Sequence, residues 1–153
     1  MLFRSNDRAA WAIVMVQQYA LQGDLRRTRA YADSARVVFE AQLQAAPDDA
    51  QRHAVLGLAL AYLGRRDDAI REGKRGVALL PITRDALLGP YIQHQLARIY
   101  TVLGDQDHAL DALEPARRVP YILSPAWLRI DPNFALLRGN PRFERLRAAD
   151  THP

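Results

Sequence analysis

The side chains of this sequence best suited to chemistry are four histidines, His53, His94, His108 and His152. An imidazole can carry a proton or ligate a metal, and a helical metal site wants two of them three or four residues apart. None of the four is so spaced, and no carboxylate joins them at ligand spacing in a recognisable motif. Asp67-Asp68 offers paired carboxylates, the residue type that does general acid–base work. Both stand in the first turn of a helical pattern, where negative charge complements the helix dipole, and Asp67 is placed to pair with Arg71 at i+4. Ser34 reads as a helix-face residue and Ser124 as a helix cap rather than nucleophiles. No phosphate-binding G-x-x-x-x-G-K-[ST] occurs. The absence of Cys excludes a disulfide, a thiolate metal site and a Cys nucleophile. The expectation is a protein that is not an enzyme and takes no metal and no cofactor.

Cationic groups are the second place to look. The formal net charge is +4, and of the 21 Lys and Arg all but Lys74 are Arg, a skew common in GC-rich coding sequence. Arg71, Lys74 and Arg75 fall at i, i+3 and i+4 on one helix face, with Arg65 and Arg66 in the preceding turn. Arg26, Arg27 and Arg29 crowd the start of another helix, where positive charge opposes the dipole. Such a stripe could meet nucleic acid or an acidic partner. No aromatic side chains are interleaved with it, as single-strand binding would prefer, so a solvated face is the favoured reading.

The elements that must position these residues follow from size and pattern. A chain of 153 residues, 49% apolar and 25% charged, has the balance of a globular domain. A chain of that length buries about 70% of its extended-chain surface. The longest apolar run, Ala54 to Leu63, is about half of what a bilayer crossing needs. The opening "MLFRSNDRAAW" lacks the apolar centre of a signal peptide. A soluble, cytoplasmic chain without membrane association is expected.

One stretch, "HAVLGLALAYLGRRDDAI", recurs. Gly64 precedes "RRDDAI"; forty residues later Gly104 stands in "TVLGDQDHAL", and Ala69 and Ala109 each follow their glycine by five residues. Forty-one residues earlier, "YALQGDLRR" supplies Gly23, and Pro47 and Pro81, which close the following helices, are 34 apart. Long helical patterns with no alternating strand pattern give an all-α reading, and a period of this size with two helices per unit indicates an α-solenoid.

With Gly57, Gly64, Ala69 and Pro81 in place, the chain resembles the tetratricopeptide repeat (TPR) family. The resemblance implies a right-handed α-solenoid of antiparallel helix pairs forming one domain, with units at about 7–47, 48–81 and 90–120 and a C-terminal cap at 121–150. The third unit matches through Leu96, Ala97, Tyr100, Gly104 and Ala109. The first fits at Trp11, Tyr19 and Gly23 but carries Thr28 where a small Ala is usual. Gly23 to Pro47 is seven residues longer than Gly64 to Pro81, which is two helical turns and keeps the apolar face in phase. Tyr31, Ala35, Val38, Phe39 and Leu43 are expected on its inner stripe. "PITRDALLGP" reads as a short helical turn before Pro90 opens the next helix, and Pro115 should kink the last repeat helix. Beyond residue 120, Ser124-Pro125, Asp131-Pro132 and Asn140-Pro141 each pair a capping side chain with Pro at the first helical position. Three short helices should follow, with Trp127, Leu128, Phe134 and Phe143 packed on the third unit as a cap. The tail is similar to the C-terminal ends of bacterial regulatory proteins in which repeats follow a kinase, cyclase or DNA-binding domain.

The resemblance further implies a concave groove lined by the first helix of each unit. Carried across, it receives Ile13, Val14 and Gln17 from unit one; Gln51, Val55, Leu58 and Tyr62 from unit two; and Tyr91, His94, Gln95 and Arg98 from unit three. The family's carboxylate clamp is absent, because Ile13, Gln17, Val55 and Leu58 occupy the matching sites; Arg98 is the one cation of the set. The expected function is a protein-interaction or regulatory module holding a peptide or helix there. The alternatives are that an upstream domain, the tail or a second copy in a homodimer covers the groove, or that the chain is a basic adaptor on nucleic acid or an acidic partner.

Overall fold

The computed structural model describes residues 8–148, and the described residues are all-helical, with no strand. The ends of the expected first unit and of the cap, residues 7 and 149–150, and His152 lie outside them. Six long helices come first: α1 (Arg8–Leu21), α2 (Leu25–Ala45), α3 (Ala50–Tyr62), α4 (Arg66–Leu79), α5 (Leu88–Val102) and α6 (Gln106–Arg117). Two short α-helices, α7 (Pro125–Ile130) and α8 (Pro141–Ala148), flank a 3₁₀ helix, Pro132–Leu137. Each long helix packs on the next, and α3 also packs on α1 and α5.

The three recurring glycines make one turn three times. Gly23, Gly64 and Gly104 have φ of 75°, 76° and 75°, the left-handed conformation that costs glycine least. At Gly64 the amide donates to the Ala61 carbonyl at 3.0 Å and the Arg65 amide to the Leu60 carbonyl at 3.0 Å. The same two bonds close the turns at Gly23 and Gly104, and they satisfy carbonyls the ending helix would leave bare. The next helix then starts on a cap. The Asp24 and Asp105 side chains accept from Arg27 and His108 amides, whereas Arg65, at the matching place, makes no side-chain cap.

α2 has 21 residues against 14 in α4, the seven-residue extension expected. Its buried row is Thr28, Ala32, Ala35, Phe39 and Leu43, with Tyr31 and Val38 partly buried beside it. Thr28 is accommodated in place of Ala because its hydroxyl donates to the Asp24 carbonyl at 2.7 Å. α5 begins two residues before Pro90. Asp85 Oδ1 accepts from the Leu87 and Leu88 amides at 2.8 Å each, so the start is capped from upstream. Pro115 falls in the last turn of α6, which ends two residues later at Arg117.

All three expected starts in the tail are present: Ser124, Asp131 and Asn140 accept from the Trp127, Asn133 and Arg142 amides. Leu128, Phe134, Leu137 and Phe143 are fully buried in one cluster with Leu96, Ala97, Tyr100, Leu110 and Leu113 of α5 and α6. Arg142 fastens α8 to α6 through Asp111 at 2.8 Å and Glu114 at 2.9 Å. Trp127 departs from expectation: it is 41% exposed, its indole N–H donating to Asp131 Oδ2 at 3.0 Å. A six-residue helix has one inward row, and Leu128 occupies it.

Candidate functional site

The eleven residues expected to line a groove separate into two sets. Ile13, Val55 and Leu58 are buried in the core cluster that joins α1, α2, α3 and α4, so they pack helices and face no ligand. His94, Gln95 and Arg98 are also buried, at 6%, 4% and 8% exposure, so the third-unit part of the expected groove is covered. Their cover is the tail: the Arg98 guanidinium donates to Asn133 Oδ1 at 3.0 Å, and the His94 ring stacks on Phe134 with centroids 5.5 Å apart. Val14 is exposed, and Gln17, Gln51, Tyr62 and Tyr91 are half-buried.

α5 and the tail build a polar network on this face. Arg98 also bonds Gln95 Oε1 at 3.3 Å and donates toward the Tyr62 hydroxyl. Gln51 hydrogen-bonds the Tyr91 hydroxyl. His94 Nδ1 lies 3.1 Å from the Tyr121 hydroxyl, and its Nε2 has no protein partner. Burial pushes Tyr91 up to about 12, against the pull of Arg98 and Gln51. Burial, assisted by Tyr91, pushes Tyr121 up to about 12 as well. Burial first, and then the Arg98 charge, push His94 down to about 3. At neutral pH Tyr91, Tyr121 and His94 are therefore uncharged.

Where α1, α3 and α5 end beside the 3₁₀ helix, a cavity of about 310 Å³ opens. Arg98, Tyr62 and Asn133 supply its polar wall, and Leu21, Val102 and Leu136 its apolar one. Asn133, Leu136, Tyr121 and Asp131 are missing from the sequence-based set. Asp131-Pro132 signals a helix start, and nothing in that local pattern says the helix lies across α5.

The other candidates are structural. Arg71 pairs at i+3 with Asp68 at 2.7 Å, not at i+4 with Asp67 as expected. Arg65 pairs with the same Asp68, Arg66 with Asp105 at 2.7 Å and Arg75 with Asp48 at 2.7 Å. Arg27 lies 3.5 Å from Asp24 and over the Tyr19 ring. His53 bridges Glu72 and the Pro47 carbonyl, and His108 contacts Asp105. Among the described residues no three His, Asp or Glu are grouped to hold a metal, and no helix is long and apolar enough to cross a membrane. The chain matches no protein-family model and no curated protein sequence.

Proposed function

We propose that the chain is a TPR-like right-handed α-solenoid of three units with a C-terminal cap, acting as a non-catalytic interaction module that takes a partner's peptide or helix across α1, α3 and α5. The observation that carries this reading is the repetition of one glycine turn at Gly23, Gly64 and Gly104, each joining two helices that pack together. Stacked units of that kind bury a continuous core and leave an extended face for a partner.

The uncovered part of that face lies at the first unit. Trp11, Val14 and Leu21, which helical spacing puts on one side of α1, are 57%, 53% and 50% exposed, with Trp11 lying edge-on to Tyr31 of α2. Exposed apolar side chains along one side of a helix suit a partner. The third-unit end is closed by the tail, so a partner engages units one and two. The basic stripe supports a nucleic-acid partner less well, because Arg65, Arg66, Arg71 and Arg75 already face carboxylates.

Selection of peptides against the purified chain tests the reading. Enriched peptides should bind the free protein, lose affinity in Val14→Glu and Gln17→Glu, and keep it in Arg29→Glu on α2. Failure to enrich any peptide, or binders indifferent to the α1 substitutions, would overturn it.

A further inference from the structure

The cavity at the ends of α1, α3 and α5 contains a cation that no protein carboxylate neutralises by contact. Arg98 is 8% exposed and its guanidinium is held by neutral oxygens, Gln95 Oε1 at 3.3 Å and Asn133 Oδ1 at 3.0 Å. Among the described residues no carboxylate oxygen lies within 4.0 Å of it. Asp131 is the acid in its surroundings, but both of its oxygens are engaged. Oδ1 accepts from the Asn133 amide and side chain, and Oδ2 accepts from the Trp127 indole. A buried guanidinium without an anion in contact is unfavourable; Asp131 acts on it only through Asn133, so a ligand anion bound directly would compensate it further.

The rest of the cavity describes that ligand. Its volume of about 310 Å³ is at the low end for ligand sites. Leu21 and Leu136 stand at its rim, 50% and 65% exposed, and Val102 lines it as well. We propose that this cavity binds a small organic acid, a monocarboxylate with a compact apolar body, its carboxylate on the Arg98 guanidinium and its body against Leu21, Val102 and Leu136. The planar guanidinium fork matches a carboxylate with two parallel bonds. One charge suffices, since among the described residues Arg98 is the single cation lining the cavity. The walls come from all three helix pairs and from the tail, so a bound acid ties Leu21 of α1 to Leu136 of the 3₁₀ helix and should raise the melting temperature. This site does not rest on the peptide-binding reading, and either can fail alone.

Calorimetric titration of the full chain with 3-phenylpropionate, and with 3-phenylpropionamide as its neutral counterpart, tests the proposal. The acid should bind saturably with one site per chain, and the amide should bind about tenfold more weakly or worse. Arg98→Gln should abolish binding, but burial makes folding part of that result. Leu136→Glu therefore decides: it places a negative charge at an exposed rim, should leave the melting temperature of the free protein unchanged, and should remove acid binding. Equal binding of acid and amide, no saturable binding of the acid, or undiminished binding by Leu136→Glu would overturn the site. A short peptide ending in a free Phe carboxylate that binds more tightly than 3-phenylpropionate would overturn the small-molecule assignment.

Discussion

Gly57 of α3 and Gly73 of α4 meet backbone to backbone: a Cβ on Gly57 would stand 2.9 Å from the Gly73 nitrogen and 2.9 Å from the Ala69 carbonyl oxygen. Backbone atoms of a packed helix cannot swing aside, so the two helices would have to separate. A Cβ on Gly73 meets only Ile99 Cδ1 at 2.7 Å and Leu96 Cδ1 at 2.9 Å, the ends of side chains that can turn. Gly57→Ala should therefore destabilise by about 1–3 kcal/mol. Both substitutions gain up to about 1 kcal/mol of helix propensity, so Gly73→Ala should cost distinctly less only because its neighbours are side-chain ends that can turn. Urea melts of both variants check the order; equal costs would mean that the backbone contact does not limit the crossing.

What was legible in the sequence was local. Glycine at a turn, Ser124, Asp131 and Asn140 as caps, and the seven extra residues of α2 all act within a few positions of themselves, so spacing reveals them. The caps Asp24 and Asp105 have no proline beside them and emerge only in the structure. The candidate site was legible only in part. Arg98 meets Asn133 across 35 residues of sequence, and no local rule reports a pairing at that range. A helical period shows that Ile13, Val55 and Leu58 are apolar. It does not say whether a neighbouring helix or a partner covers them, and here they are core. Trp127 was misplaced for the same reason: in a short helix two adjacent apolar residues compete for one inward row.

The tail gives a graded prediction. Phe134 is fully buried against α5, whereas Trp127 is 41% exposed. Phe134→Ala should cost about 3–5 kcal/mol through the cavity it leaves. Trp127→Ala should cost clearly less, since much of its surface never leaves water. Removing residues 121–153 uncovers Leu110, Leu113 and Tyr100 and should cause aggregation or loss of helical circular dichroism. A soluble, monomeric 1–120 fragment with the melting temperature of the full chain would refute the packing role of the tail.

Arg65 marks a place where stability can be gained. It occupies the position that Asp24 and Asp105 hold at the other two glycine turns, yet α4 has no side-chain cap. Arg65→Ser supplies a hydroxyl acceptor to the first turn without adding charge beside Asp67 and Asp68. A cap is worth about 0.5–2 kcal/mol. The substitution also removes the exposed surface pair between Arg65 and Asp68, a weak interaction in water, and Arg71 retains Asp68 as a partner. The net expectation is a modest rise in melting temperature, measurable by calorimetry; a fall would show that the Arg65 pair outweighs the cap.

His94 should make the fold sensitive to mild acid. Its ring is enclosed by Phe134, Tyr121, Arg98 and Asp131, and burial with the Arg98 charge lowers it from 6.5 to about 3. In the unfolded chain the imidazole takes a proton as pH falls through its ordinary value, while in the folded chain it stays neutral. The unfolded state thus binds more protons between these limits, so stability rises with pH there. The contribution is complete above about pH 6.5 and is lost progressively as pH falls toward about 3. Between pH 7 and 4.5 the loss should be about 2–3 kcal/mol, before most carboxylates titrate. His94→Gln removes the titration and keeps a polar group for the Tyr121 hydroxyl, so its stability should vary less with pH over this window than that of the parent. Denaturant melts of both proteins at pH 7, 6, 5 and 4.5 measure the difference; parallel curves would show that His94 is protonated in the folded chain as readily as in the unfolded one.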